Sequence, residues 1–375
     1  MVLLLGNYPP DQQQSMQRFS AMMLHGLRSR GIKAELITPQ PFLGKLRFFG
    51  RFAAKWLGYV DKYIFFPRQL RRTLEPALQA VVHICDHSNA VYVPYCRPAP
   101  VLVTCHDLLA VRGGLGEDTD CPATFTGERL QKWILRGLGQ ADAIACDSQA
   151  TAADANRLIE QSYSQWVNVV SLGMSFEYRP IPPETAGLRL TAIPGLDLNR
   201  PFALHVGSNL RRKNRDAILR IVALVKETWN GQIVFAGELL NADLRRLVRD
   251  LGIGDRVIEV PDPSNEVLEA LYNRAVALLY PSRFEGFGWP VIEAQACGCP
   301  VICSNSGPLP EVAGDAGLFH PVEDEAGFAA DLISLTEPVH RARWREKSLI
   351  NAKRFSTTRM IDDYVAIYRR LGAAV

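Results

Sequence analysis

"VALLYPSRFEGFGWPVIEAQACGCPVICSN", residues 276–305, reads as a strand, a glycine-rich loop, a helix and a second strand. Its two flanking apolar runs are short and bounded by turn residues, as buried strands are. Pro290 suits the first helical turn, where its missing N–H costs nothing. Gly298 suits the helix end. This is one βαβ unit, and the same rhythm extends in both directions along the chain.

Towards the N-terminus of that unit come "FALHVG" (202–207), "QIVFAG" (232–237) and "RVIEV" (256–260). A helix is expected over 216–226, with Ile218, Ile221, Val222 and Val225 at core spacing. The first half repeats the pattern in "VLLLG" (2–6), "AELIT" (34–38), "AVVHI" (80–84), "VLVTC" (101–105), "AIAC" (143–146) and "VNVVSL" (167–172). Residues 16–30 set Phe19, Met22, Met23 and Leu27 on one helical face. Between the halves, 178–201 is rich in proline and lacks periodicity, so it is expected to be a linker. The fold class is α/β, with two doubly wound Rossmann-like domains, 1–180 and 181–355. Ligands of such sheets bind beyond the carboxyl ends of the strands, and two sheets facing each other would make an interdomain cleft.

Composition narrows the function. The chain has 375 residues, 47% hydrophobic and 22% charged, enough to fill two ordinary cores. A formal net charge of +3 is too mild to point to nucleic acid, and none is expected as a partner. No run approaches the ~18 apolar residues of a spanning helix. "MVLLLGNYPPD" lacks the basic lead-in and cleavage site of a signal peptide and reads as a buried first strand, so a cytoplasmic location is expected. Eight cysteines sit mostly in apolar runs and suit reduced core positions. Neither "GNYPPDQQQS" nor "GSNLRRKNRD" supplies a dinucleotide fingerprint or a Walker A loop, which disfavours a nicotinamide dehydrogenase.

The chemistry concentrates in three places. In 284–293, Glu285 precedes Gly286, Phe287 and Gly288, and Glu293 falls in or just after the first helical turn. Glycines allow close backbone approach, and amides at a helix start make a phosphate cradle. Either glutamate alone would fit a capped surface turn, whereas the whole pattern points to a ligand. "HVGSNLRRKN" (205–214) is a strand, a glycine turn and a basic cluster, suited to a diphosphate whose charge must be neutralised as it leaves. "VTCHDLLAV" (103–111) sets a His-Asp pair at a strand's carboxyl end, with His106 as the candidate and Asp107 either orienting it or capping the next turn.

"PSRFEGFGWPVIEAQACGCPVICSNSGPLPEVAGDAGLF" (281–319) resembles the donor-site signature of the family-4 retaining glycosyltransferases, with two glutamates separated by seven residues. That resemblance implies the GT-B architecture, a C-terminal domain that binds a nucleotide diphosphate sugar and an N-terminal domain that binds a hydroxyl acceptor. It implies that Glu293 holds the ribose and Glu285 the donor sugar, with the amides of Gly286, Phe287 and Gly288 reaching sugar and phosphate. Gly207, Ser208, Lys213 and Arg212 (or Arg211) would meet the diphosphate, with Ser208 standing where relatives often have arginine. His106 would lie near the donor sugar. "RFSTTRMIDDYVAIYRRL" (354–371) resembles the family's closing helix, expected over 356–375 and packed on the N-terminal domain. A metal-independent hexosyltransferase is implied, with no cofactor. A nucleotide-sugar epimerase of the same architecture and a non-catalytic sugar-nucleotide-binding subunit are the rivals.

The first loop departs from the family. Relatives carry paired glycines there, whereas this chain has Gly6 alone, then Asn7, Asp11 and Ser15 as candidates for acceptor hydroxyls. A plain strand-to-helix loop fits those residues equally. Two motifs are discounted as metal sites: "DTD" (118–120), which chance supplies about once at this aspartate frequency, and "HICDH" (83–87), which has no distant partner. Residues 43–72 hold eight Lys/Arg against one Asp, interleaved with Phe48, Phe49, Phe52, Trp56, Leu57, Phe65 and Phe66. That mixture suits peripheral contact with an anionic membrane, a solvated helix or an acceptor groove.

Overall fold

The computed structural model describes residues 1–11, 13–44, 56–74, 80–159 and 166–374. The chain forms two compact units, Met1–Ser175 with Thr357–Val375, and Phe176–Ser356. The likeness of each to a doubly wound domain lies in its sheet.

In the first unit, β1 (Val2–Leu5), β2 (Ala34–Ile37), β3 (Val81–Ile84), β4 (Val101–Cys105), β5 (Ala143–Cys146) and β6 (Trp166–Val169) are all parallel, in the order β2-β1-β3-β4-β5-β6. Every residue of β1, β3, β4 and β5 is buried, which is why these strands read as unbroken apolar runs. Helix Gln14–Arg28 covers the sheet through Phe19, Met23 and Leu27, with Met22 half-buried. Gly26 lets helix Thr357–Arg370 approach closely, since a Cβ there would meet Ile361 at 2.6 Å. That last helix also reaches the sheet by hydrogen bonds. His83 shares protons with Tyr368 and Thr104, each at 2.7 Å, and Thr104 is 2.9 Å from the Tyr364 hydroxyl. His83, part of the discounted "HICDH" motif, is thus a buried partner of hydroxyls, and burial lowers its pKa to about 3.

In the second unit, β7 (Phe202–Gly207), β8 (Gln232–Gly237), β9 (Val257–Pro261), β10 (Leu278–Tyr280), β11 (Val301–Ser304) and β12 (Gly317–His320) are parallel in the order β12-β11-β10-β7-β8-β9. Helix Arg215–Leu224 buries Ile218, Ile221 and Val222 at the expected positions. Two features differ from expectation. β12 is an extra edge strand whose residues after Gly317 are only half-buried, so no fully buried apolar run marks it. The proposed linker contains helix Pro183–Leu190, whose Ala186 and Leu190 are fully buried as it packs on helix Asn265–Arg274. Its proline lies at the helix start, where that residue is harmless, so what looked like a breaker is a start signal.

The strand order reverses between β1 and β3 in one unit and between β7 and β10 in the other. Crevices at the carboxyl ends of those strand pairs are where such folds bind ligands.

Candidate functional site

The chain leaves β7 at Gly207 and Ser208, makes a tight turn over Arg211–Lys213, and enters helix Arg215–Leu224 through Asn214. Asn214 is in the left-handed region (φ 54), and its side-chain amide donates to the Pro281 carbonyl at 3.0 Å. The Arg283 amide donates to the Arg212 carbonyl at 2.7 Å. These bonds tie the loop after β7 to the loop after β10.

The tie brings three predicted residues together. Lys213 Nζ lies 2.6 Å from Glu285 Oε1 and 2.8 Å from the Tyr280 hydroxyl. Arg212 Nη1 lies 3.1 Å from Glu285 Oε2 and donates to the Phe284 carbonyl at 3.2 Å. Of the two arginine candidates, Arg212 makes the contact and Arg211 is exposed. The Glu285 side chain is only 6% exposed. Burial alone would raise its pKa, but Lys213 and Arg212 more than reverse this and hold it at about 2. Burial pulls Lys213 below the usual lysine range, with Glu285 opposing. One carboxylate between two cations leaves a net positive charge at the strand ends.

Two supporting residues went unweighed in the sequence. Arg215, 3% exposed, donates to the Glu238 carbonyl at 2.7 Å, to Asn209 Oδ1 at 2.8 Å and to the Gly207 carbonyl, so it fixes the loop's first turn. His205 is fully buried, donates from Nδ1 to the Leu279 carbonyl at 3.0 Å and stacks on Tyr280. Burial, then Arg215, lower its pKa to about 3, so the ring is neutral. The signals were a ring nitrogen inside the apolar strand β7 for His205 and a charged residue opening a mostly apolar helix for Arg215.

The glycine loop is less open than its sequence suggests. Gly288 has φ 108 and caps helix Trp289–Ala296; a Cβ there would meet Leu309 at 2.9 Å, so both conformation and space require glycine. Phe287 is buried edge-on against Phe355, while Gly286 is half-buried. Glu293 lies just after the first helical turn, 4% exposed, and accepts a hydrogen bond from the Tyr272 hydroxyl at 2.9 Å.

In the first unit, His106 follows β4 directly and is 6% exposed. Its Nδ1 is 2.6 Å from Asp147 Oδ2, just beyond β5, and its Nε2 is 2.9 Å from the Cys85 carbonyl, just beyond β3. A carboxylate and a carbonyl facing the two nitrogens suit a ring that donates from both, an imidazolium. Burial would lower its pKa; Asp147, helped by Asp86, overrides this and raises it to about 9. Asp107 does not orient the ring but accepts from the Leu109 amide at 3.0 Å, capping the turn. Asp147 is the partner that the sequence reading missed.

The candidates of the first loop disperse. Asn7 is 4% exposed and donates to Asp86 and Gln13, while Asn89 donates to its carbonyl oxygen at 3.2 Å. Gly6 packs beneath Leu36 and Thr38. Asp11 pairs with Lys62 at 2.8 Å, and Lys62 in turn sits over the rings of Tyr8, Tyr59 and Tyr63. Ser15 is exposed inside the helix, whose cap is Gln13. In the basic stretch, residues 45–55 lie outside the described residues, and with them Phe48, Phe49 and Phe52. Phe66 is buried, whereas Phe65 and Trp56 are exposed. Phe65 meets Phe42 edge-on beside Arg68 and Arg72, lining a cavity of about 690 Å³. No helix among the described residues is long and apolar enough to cross a membrane.

Residues 189–349 match the family model of glycosyl transferases group 1. The chain is 29% identical over 305 residues to the O-antigen chain mannosyltransferase B of Escherichia coli, covering 74% of this chain and 73% of that protein. It is 30% identical to D-inositol 3-phosphate glycosyltransferase 1 of Catenulispora acidiphila, covering 73% and 67%. This chain belongs to the family-4 glycosyltransferases. The match takes in 62% of the length of the related inositol enzyme of Acidothermus cellulolyticus, so this glycosyltransferase spans less than two thirds of that relative. Among solved structures, sucrose-phosphate synthase of Thermosynechococcus elongatus superimposes with a TM-score of 0.78 at 19% identity, covering 100% of this chain and 99% of that one. Anabaena HepE, solved with UDP, gives 0.73 at 14% identity, covering 99% and 100%. At such identities the likeness is one of fold, and the fold is GT-B.

Proposed function

We propose that this glycosyltransferase is a retaining enzyme that moves a hexose-type sugar from a nucleotide diphosphate sugar to a hydroxyl acceptor. The observation that carries the reading is the cluster of Arg212, Lys213 and Glu285 at the carboxyl ends of β7 and β10. The leaving diphosphate would take its neutralising charge from Lys213, Arg212 and the loop amides, which is why no metal is assigned to the reaction. Glu285 would accept hydroxyls of the donor sugar. Held at about 2 by two cations, its carboxylate is a poor nucleophile, which disfavours a covalent intermediate. The acceptor oxygen would therefore bond to the anomeric carbon on the face from which the phosphate departs. The C–O bond to phosphate breaks, and the acceptor's proton passes to the leaving phosphate oxygen. His106 would supply fixed positive charge and not a proton shuttle, because both its nitrogens are already donating. Support for the donor class comes from structural neighbours with UDP-glucose or ADP bound.

Thermal-shift screening of nucleotide sugars, followed by NMR of the product's anomeric centre, tests this. An inverted product would overturn the mechanism. Epimerised donor without acceptor would favour the epimerase instead, and binding without turnover the non-catalytic subunit. Glu293, braced by Tyr272, is assigned to the ribose hydroxyls. Glu293→Gln should weaken nucleoside diphosphate binding by about 10- to 100-fold, the worth of one charge-assisted hydrogen bond, with kcat little changed. Calorimetric titration reads this directly.

We also propose that Phe42, Phe65, Arg68 and Arg72 take part in peripheral contact with an anionic membrane, on the cytoplasmic face. Vesicles containing anionic lipid should retain the protein at low salt, and Arg68→Glu with Arg72→Glu should release it. Equal retention by both forms would defeat the proposal.

A further inference from the structure

We propose that the unit Phe176–Ser356 carries a second anion site, for a phosphate monoester, at the end of its sheet opposite the Arg212–Lys213–Glu285 cluster. A cavity of about 550 Å³ opens there, against Phe202 at the start of β7, Val276 ahead of β10 and Pro300 ahead of β11. Four arginines line it, Arg200, Arg274, Arg341 and Arg345, and its lining contains no carboxylate.

What distinguishes these arginines is that four share one cavity with no carboxylate in its lining. Some arginines of the unit meet carboxylates, as Arg189 meets Glu269 and Arg220 meets Glu325, both at 2.6 Å, and the buried Arg215 spends its guanidinium on three uncharged oxygens. Around the cavity they meet only carbonyls. Arg200 donates to the Asn230 carbonyl at 3.0 Å, Arg274 to that of Leu198 at 3.2 Å and Arg345 to that of Cys297 at 3.4 Å. The Arg341 guanidinium has no hydrogen-bonded or ion-paired partner among the described residues. A carbonyl satisfies an N–H but cancels no charge, so the positive charge of the cavity stands uncompensated.

Its placement makes that charge costly. Arg341 and Arg345 are four residues apart in helix Pro338–Ala352, on the face that Pro338 and Ala342 also present to the cavity. Like charges at that spacing repel, and the first turns of a helix already carry the positive end of its dipole. A bound anion would reverse both penalties. Guanidinium forks match the oxygens of a phosphate in pairs, which a carbonyl or a halide does not use. The volume exceeds a bare phosphate and lies in the range of small-molecule sites, and Ile181, Pro183 and Leu198 offer an apolar wall to the ester's uncharged body.

The site is independent of the donor reading, and its test separates the two. Binding of glucose 6-phosphate and of inorganic phosphate to the full chain is measured by calorimetry for the native protein, Arg341→Ala, Arg345→Lys and Lys213→Ala. We expect both probes to bind, the sugar phosphate more tightly. Arg341→Ala should weaken both by about 10-fold or more, the loss of charge-assisted bonds, and Arg345→Lys should weaken them less. Lys213→Ala should leave them within about twofold, because independent sites do not couple. The Arg341 side chain makes no bond that the fold depends on, so a melting temperature without ligand that is unchanged or slightly raised, as relief of the repulsion predicts, validates the comparison. Failure of both probes to bind, or binding lost in Lys213→Ala and kept in Arg341→Ala, would overturn the site.

Discussion

Lys213→Ala is expected to lower sugar transfer by about 100- to 1,000-fold, the usual result of removing one preorganised group that stabilises transition-state charge. The ammonium is placed for that work by its surroundings, 2.6 Å from Glu285 and 2.8 Å from Tyr280, with a side chain only 12% exposed. Low exposure means that water screens its charge poorly, so its effect on a leaving diphosphate is larger than that of a surface lysine. The loss should fall mainly on kcat, since charge on the diphosphate grows as the bond to the sugar breaks. Lys213→Arg is not expected to restore the rate, because a planar fork cannot occupy the point held by an ammonium between a carboxylate and a phenol.

The fold should survive the change. The loop is pinned by Asn214 on Pro281, by the Arg283 amide on Arg212 and by Arg215 on the Gly207 and Glu238 carbonyls, and none of these bonds uses the lysine side chain. Glu285 keeps Arg212 at 3.1 Å, although its pKa will rise once the nearer cation is gone. Steady-state kinetics with the best donor, alongside circular dichroism, decides the matter. A variant with native activity would remove Lys213 from the site.

Sequence alone made the architecture legible because parallel strands buried on both faces leave continuous apolar runs. β7, β8 and β10 could be read for that reason, and β12 could not, since three of its four residues are only half-buried. The helix at Pro183–Leu190 was hidden by the ambiguity of proline, which both breaks and begins helices. At the carboxyl ends of β7 and β10, Glu285, Arg212 and Lys213 were legible because two short motifs carry them, each in the loop that follows a strand. What joins distant segments was not. Asp147 reaches His106 across neighbouring strands, 41 residues away, and no local spacing announces such a partner. Asn7 illustrates the converse, a residue whose polarity suggested a ligand but whose bonds are spent on Asp86 and Gln13.

The His106–Asp147 pair should give the strongest dependence of stability on pH. An unfolded histidine titrates near 6.5, and the folded ring near 9, so the folded state holds its proton more tightly. A raised folded value stabilises below the unfolded pKa and loses that stabilisation as pH climbs through the folded one. Stability should therefore be fully present below about pH 6.5 and decline up to about pH 9. The ceiling on the histidine's share is about 3 kcal/mol, from a shift of roughly 2.5 units at ~1.36 kcal/mol each. Burial pushes the Asp147 carboxyl up in the same environment, so the pair returns part of that gain. Asp147→Asn should flatten the slope by removing the charge that holds the imidazolium. It should also cost about 3–5 kcal/mol near neutral pH, the penalty for leaving one half of a buried pair. Denaturant melts at half-unit steps from pH 6 to 9.5 measure both quantities. A native profile that is flat across that window would mean His106 is neutral, and a variant that keeps the slope would place the titrating proton elsewhere. An imidazolium also fixes the chemistry, since a ring already donating from both nitrogens has no lone pair with which to act as a base.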